Sequence, residues 1–373
     1  MYHTNVRLRC VGLVVALLFI QVTLYTPEAD AYGRYTTDQN TKLEKAEQLI
    51  IKYVEENNIP GLSAAIAVDN ELVWSDGFGY ANLQHMVPAG SKTIYRIASI
   101  SKPIAAVIAM MLVEEGALDP DAAIQDYIPL YPEKRGVITM RRLLSHTSGI
   151  RHYRGDEFFS NRRYRSGLTP LATFADDTLL FMPGDQYSYS TFGYTLASAV
   201  IEASARTSFL ELLEHRIVLP FELKTLAAEE SEKIIPHLAS FYIRQDGEIF
   251  NAPYVDNSNK WAGGGLVSTA DDLVRFASEL IRGNMIHHET LEQMFTPQIT
   301  NDGNSVEYGL GWAVGIDEET GKRVVWHTGG AMGGSGVLFL YPDDGFIFAS
   351  LANTSGVQHL DLARNIARSF LAR

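Results

Sequence analysis

Apolar positions follow two periods along this chain, and the change of period marks its elements. Between Lys42 and Asn57, the residues Leu43, Ala46, Leu49, Ile50 and Tyr53 recur at helical steps, which predicts an amphipathic helix. Asn58-Ile59-Pro60-Gly61 ends it. Two β-rich runs follow, Leu62–Val68 and Glu71–Gly77, and Asp69-Asn70 between them signals a hairpin. A matching block lies near the other end. There Arg323–Trp326, Val337–Tyr341 and Phe346–Leu351 read as strands, split by Gly-rich and Pro342-Asp343-Asp344-Gly345 turns. A last helix, His359–Leu371, closes the chain, and Ser99 to Gly283 is mostly helical in pattern. The pattern predicts an α/β fold of the α+β type: one antiparallel sheet built from both chain ends, flanked by the terminal helices, with a helical lobe inserted in sequence. The sheet lobe takes about residues 42–98 and 300–373, and the helical lobe about 99–299. Without an internal repeat, a low-complexity tract or a Pro/Ser linker, residues 32–373 read as a single domain.

The first 31 residues follow a different rule. Arg7 and Arg9 form a short basic region, and Val11 to Leu24 is apolar except for Gly12, Gln21 and Thr23. Ala29-Asp30-Ala31 fits an A-x-A cleavage site, so residues 1–31 read as a signal peptide. The run is short for a membrane span, which needs about 20 apolar residues. The expectation is a secreted or periplasmic chain with no stable membrane association after cleavage. The alternatives are an organelle presequence or an anchor formed by residues 11–24. Tyr32 to Thr41 is a polar leader.

Composition narrows the function. Of 373 residues, 46% are hydrophobic and 20% charged, which excludes a disordered chain and supplies a large core. The net charge is −13 with no basic run, so nucleic acid and anionic membranes are poor partners. Cys10 is the single cysteine, which removes intrachain disulfides, a cysteine metal cage and a cysteine nucleophile. Several catalytic signatures are absent as well. Ser335 has Gly333 two residues before it but Val337 two after, so there is no G-x-S-x-G elbow. His288-Glu289 lacks the second histidine of H-E-x-x-H. Gly90-Ser91-Lys92-Thr93 has the wrong order for a P-loop, and no G-x-G-x-x-G follows a strand.

What remains is Ser99-Ile100-Ser101-Lys102, the one S-x-x-K in the chain, opening the apolar stretch Ile104–Leu112. Residues three apart on a helix share a face, so Lys102 can aim its amine at the Ser99 hydroxyl. A serine hydroxyl is a weak nucleophile that needs an adjacent base, and lysine serves once burial or a second cation lowers its pKa from about 10.4. The plain alternative is a helix-capping Ser99 and a solvated Lys102. A second element is Tyr187-Ser188-Tyr189-Ser190-Thr191-Phe192-Gly193-Tyr194, whose aromatics also suit core packing. The third is Val324-Val325-Trp326-His327-Thr328-Gly329-Gly330, a strand ending in small residues that admit a close backbone approach, or else a glycine-rich turn between strands.

In this order the three resemble the signatures of the penicillin-recognising serine hydrolases: S-x-x-K, Y-x-N, and K-T-G or H-T-G. That superfamily includes class C β-lactamases, D,D-peptidases and related esterases. The closer resemblance is to its mitochondrial-type serine β-lactamase-like protease branch. It rests on Ile97 to Pro103, Ser148-Gly149-Ile150-Arg151-His152-Tyr153, Tyr189 to Tyr194, Pro253-Tyr254-Val255-Asp256-Asn257-Ser258, and Lys260-Trp261-Ala262-Gly263-Gly264-Gly265, and it covers about residues 42–373. The resemblance implies a β-lactamase/transpeptidase-like fold and acyl transfer through a Ser99 acyl-enzyme, most readily on peptide-type amides. It implies Lys102 and Tyr189 as the proton-transfer pair, and the backbone N–H groups of Ser99 and Gly330 as the oxyanion hole. Thr191, His327, Thr328 and Gly329 are implied as substrate-binding residues. The strand edge after His327 would pair with an extended substrate. No metal or cofactor is called for, and the partner is a small-molecule or peptide substrate. Self-assembly is a further implication, since the mitochondrial branch forms filaments.

Two departures from the wider pattern count against efficient β-lactam hydrolysis. Thr191 stands where Y-x-N has asparagine, and His327 stands where β-lactamases carry lysine. An unperturbed histidine titrates near pH 6.5, so a permanent cation becomes a conditional one, and a cationic neighbour would pull the Tyr189 phenol below its usual value of about 10. The alternatives to a peptidase-like hydrolase are a β-lactamase or carboxylesterase of the same chemistry, and a catalytically weak assembly or binding module. His146 reads as structural. His287-His288-Glu289 reads as a solvated helix end, Gly263-Gly264-Gly265 as a close backbone approach and Asp343-Asp344 as a turn.

Overall fold

A computed structural model describes residues 36–371; the expected signal peptide lies outside the described residues. The main sheet has seven strands: β1 (Gly61–Val68), β2 (Glu71–Asn82), β3 (Val87–Pro88), β4 (Ala313–Ile316), β5 (Arg323–Ala331), β6 (Gly334–Tyr341) and β7 (Phe346–Ala352). Their order across the sheet is β3-β2-β1-β7-β6-β5-β4, and every pairing is antiparallel. The two chain ends meet at its centre, where β1 pairs β7 in the register Leu62↔Ala352 to Ala67↔Ile347.

Alternation along these strands sorts two cores. Val337, Phe339 and Tyr341 join Leu62, Ala64, Ile66, Phe346 and Phe348 on one face. That face is covered by helices α1 (Thr37–Glu56) and α5 (His359–Leu371), through Leu43, Ala46, Ile50, Leu362, Ala363 and Ile366. Leu338, Leu340, Ile347, Ala349 and Leu351 face the other way, into a second cluster that runs on into the helical lobe. Each fully buried Leu, Ile or Phe side chain contributes about 1.5–3 kcal/mol relative to exposure.

The second cluster is built around α2 (Ser101–Glu114) and α3 (Thr191–Ala205), with α4 (Ala270–Ile281) packed alongside. Helix α2 is buried on every side, from Ser101 through Met110 and at Leu112, as its unbroken apolar sequence requires. Lys102 is therefore carried into the core by the helix that follows Ser99.

Three differences from the predicted elements have local causes. Helix α1 begins at Thr37 rather than Lys42, because Thr36 and Gln39 form a capping box that extends it through the polar leader. Strands β5 and β6 run through the glycines to Ala331 and from Gly334, so His327-Thr328-Gly329-Gly330 is strand and not its end. The region between α2 and α4 is less helical than its pattern suggests. From Ser145 to Ser190 the chain is loop broken by short 3₁₀ turns.

Candidate active site

Ser99 sits in a one-turn 3₁₀ segment, Ala98–Ile100, that leads directly into α2. Ala98 before it has φ +50, a left-handed value that a β-carbon disfavours. Such positions persist where the surroundings dictate them, and here Gly329 of β5 and Gly264 press on the same turn.

Lys102 Nζ lies 3.1 Å from Ser99 Oγ, 3.2 Å from Thr191 Oγ1 and 2.6 Å from the Gly263 carbonyl oxygen. No carboxylate is among these partners. Burial first, and then the charge of Lys260, hold the amine well below its usual range. An unprotonated amine has two N–H bonds and one lone pair. The two N–H bonds suit the Gly263 carbonyl and the Thr191 hydroxyl, and the lone pair is left for the Ser99 hydroxyl proton. Thr191 thus grips the Lys102 amine, and the glycine run contributes a carbonyl acceptor as well as a close approach to α3.

The Tyr189 ring stacks beside this amine, 4.8 Å from Lys102 Nζ to the ring centroid. Burial raises the phenol above its ordinary value, with the Ser99 side chain pulling the other way. This corrects the expectation of a lowered phenol: desolvation outweighs the neighbours, so Tyr189 stays protonated. His146 packs against it with centroids 4.3 Å apart, and its Nδ1 accepts the Ser190 N–H at 3.1 Å. That is the structural role read for it.

His327 is a second correction. It is buried, Nδ1–H donates to the Thr328 carbonyl at 2.7 Å, and Nε2 accepts from the Tyr308 hydroxyl at 2.9 Å. Burial, then the Lys102 charge, push its pKa down to about 3, against the opposing hydrogen bond to Thr328. The ring is neutral at working pH, and both nitrogens are committed within the protein. It does not offer a cation or a free N–H to a substrate.

Two cavities meet at Tyr189. One, of about 160 Å³, is lined by Ser99, His152, Tyr153, Tyr189, Thr191, Lys260, Gly263 and Gly330 among others. The other, of about 480 Å³, opens along the β5 edge beside Tyr187, Glu307, Tyr308, His327 and Thr328. The larger one does not reach Ser99, so the smaller one is the candidate reaction chamber and the larger an adjoining groove. The structure brings Ser99, Lys102, Tyr189, Thr191 and Gly330 together, with Thr328 exposed on the adjoining groove. Gly329 is not among the lining residues of either cavity. A β-carbon there would stand 2.4 Å from the Ile97 carbonyl oxygen, so this glycine serves the packing of β5 on the nucleophile's turn.

Two residues of the chamber carried no assigned role in the sequence. His152 Nδ1 accepts the Thr191 N–H at 3.1 Å, and burial, then Lys102 and Lys260, lower its pKa to about 4. Lys260 is only 6% exposed, and its amine faces the rings of Tyr153 and Phe158 at 5.4 and 5.2 Å. Its signal was a lysine set immediately before the Gly-rich Trp261–Gly265 approach.

Comparison with known proteins agrees with this geometry. A family profile described as Beta-lactamase matches residues 46–371. The chain is 29% identical to the human serine beta-lactamase-like protein LACTB, mitochondrial, over 81% of its own length and 72% of that protein's. It is also 29% identical to penicillin-binding protein 4* of Bacillus subtilis, over 74% of this chain and 64% of that one. Among solved structures, the octameric penicillin-binding protein homologue from Pyrococcus abyssi superposes with a TM-score of 0.79 at 26% identity, covering 89% of this chain and 78% of that one.

Proposed function

The chain belongs to the β-lactamase family, and from that premise we propose that it is a serine hydrolase that transfers acyl groups from peptide-type amides through Ser99. The carrying observation is the Ser99–Lys102 contact of 3.1 Å within a carboxylate-free burial site. In the first step Ser99 Oγ bonds to the substrate carbonyl carbon while its proton passes to Lys102 Nζ. The carbonyl oxygen becomes an oxyanion facing the backbone N–H groups of Ser99 and Gly330, an arrangement worth roughly 3–4 kcal/mol per donor in comparable sites. Breaking the C–N bond then needs a proton on the leaving nitrogen. The neutral phenol of Tyr189, between the chamber and the groove, delivers it and is reprotonated from Lys102. Water repeats the sequence on the Ser99 ester, releasing the acid.

Peptide-type amides are favoured over β-lactams because His327 presents no cation to a lactam carboxylate. The test is intact mass of the mature chain after treatment with a fluorophosphonate probe. Wild type gains one probe and Ser99→Ala gains none; a short peptide amide is then turned over faster than a chromogenic cephalosporin. A probe-silent wild type overturns the reading. If that silent protein also ran as a large assembly in light scattering, the binding-module alternative would replace it, a form favoured by the octameric archaeal relative.

The compartment belongs to the same proposal. Residues 1–31 direct the chain out of the cytosol, and LACTB's mitochondrial designation keeps the organelle alternative in play. N-terminal sequencing of the native protein decides: Tyr32 as first residue fits cleavage after Ala31, and a retained Met1 sinks it.

A further inference from the structure

Lys260 lines the Ser99 chamber and Lys102 is buried behind it, and of the two only Lys102 has hydrogen-bond partners. Among the described residues, the Lys260 amine makes no hydrogen bond and no ion pair, although the residue is 6% exposed. The nearby acids are already engaged. Glu229 takes a bidentate contact from Arg96 Nε at 2.9 and 2.7 Å, and its Oε2 accepts from Asn257 Nδ2 at 2.7 Å. Asp256 accepts from the Ser258 N–H at 2.9 Å and the Ser231 hydroxyl at 3.1 Å. What Lys260 does face is aromatic, the rings of Tyr153 and Phe158, which hold an ammonium without neutralising it.

The backbone ties the two lysines together. Lys260 immediately precedes the short helix Trp261–Gly264, whose Gly263 carbonyl accepts from Lys102 at 2.6 Å. The Thr195 hydroxyl donates to the Asn259 carbonyl at 3.1 Å, which pins Lys260 against α3, the helix that carries Thr191. The titratable groups around Lys102 are otherwise uncharged in this arrangement. Tyr189 and Tyr194 lie beside it as phenols, while His146, His152 and His327 each have a ring nitrogen occupied as acceptor. The strand wall at His327 therefore supplies no positive charge.

We propose that Lys260 is a positioning residue for acylation: its unpartnered ammonium, in the wall of the Ser99 chamber beside Tyr153 and Phe158, is the positive charge that keeps the Lys102 amine in its base form. This rests on the acyl-transfer reading above. It is consistent with the direction of both titrations, since the Lys260 charge ranks second to burial in lowering Lys102 and Lys260 itself is lowered to about 8, by burial and then Arg96. Below that pH Lys260 is an ammonium and disfavours a second proton on Lys102. Above it the charge is lost and the effect ends.

The experiment is the pH dependence of fluorophosphonate labelling from pH 5 to 10, with a neutral probe so that recognition of charge does not enter. Ser99→Ala fixes where the label goes and tests the acyl-transfer reading separately. For Lys260→Met, loss of the charge moves the acid limb to higher pH. The expectation is labelling ~10-fold slower near pH 6.5, equivalent to one unit of displacement, and convergence with wild type above pH 9. Lys260→Arg keeps the charge and stays within about twofold of wild type below pH 8. Lys260→Gln is a second neutral variant should Met at this site fail to fold, as judged by thermal melting. A uniform loss at every pH in the neutral variants, or no loss, overturns the proposal while leaving the Ser99 assignment standing.

Discussion

A titratable side chain buried away from water is driven toward its neutral form, and this protein uses that rule at several residues. His359 shows it outside the reaction chamber. It is buried, its Nδ1 lies 2.8 Å from Ser350 Oγ and its Nε2 3.1 Å from Ser335 Oγ, and burial lowers its pKa to about 3. The sign of the linkage follows. Above pH 6.5 the histidine is neutral folded or unfolded and adds no pH dependence. Between pH 6.5 and 3 the unfolded chain binds a proton that the folded one refuses, so stability falls as the pH falls. One such proton corresponds to about 1.4 kcal/mol per pH unit. His359→Gln is expected to flatten the plot of unfolding free energy against pH between 4 and 6 by about that slope, read by urea denaturation. An unaltered slope would mean the site titrates as in the unfolded chain. The same rule marks what the sequence could carry at this scale. The spacing of Ser99 and Lys102 follows from helical geometry and was legible. The charge states of His327, Tyr189 and Lys260 depend on how deeply distant segments bury them, so a histidine expected to titrate near pH 6.5 is found neutral.

At the scale of elements, period and capping residues explain most boundaries, and the misses have one physical cause each. Helix α5 spans His359–Leu371 as its apolar spacing predicts, because one face alone meets the sheet. Strand β5 runs beyond Trp326 through His327-Thr328-Gly329-Gly330 to Ala331, although glycine is a poor strand former in isolation. Gly329 is required inside the strand because another part of the chain lies against it. At Gly329 the Ile97 carbonyl leaves no room for a β-carbon, and in the neighbouring β6 the Ser350 carbonyl is 2.8 Å from where one would be on Gly336. A propensity argument sees only the residue, whereas the constraint sits some 230 positions away in sequence (Ile97 to Gly329). The loop from Ser145 to Ser190 was the least legible part. It is held by specific bonds such as Ser190 Oγ to the Arg151 carbonyl at 2.7 Å, and these leave no periodic trace.

The whole molecule joins its two lobes through one continuous core. Cluster residues Leu338, Ala349 and Leu351 of the sheet pack with Ile104 and Val107 of α2 and Leu196 and Val200 of α3. Ser99 lies at this seam, with β5 on one side and the Gly263-Gly264 wall on the other. Chain topology reinforces the join, since β1 and β7, from opposite ends of the sequence, are neighbours at the sheet centre. Removing the helical lobe would therefore expose one entire face of the sheet and leave only the core between the sheet and helices α1 and α5. The single domain proposed for residues 32–373 should melt as one unit. Scanning calorimetry of the mature chain is expected to give one heat-absorption peak, with the calorimetric enthalpy equal to the van't Hoff enthalpy within error. A probe that acylates Ser99 should raise that one peak as a whole, because the acyl group sits where the lobes meet. Two resolved peaks, only one of them moved by the probe, would mean that the lobes fold independently and that the catalytic seam is an interface between domains.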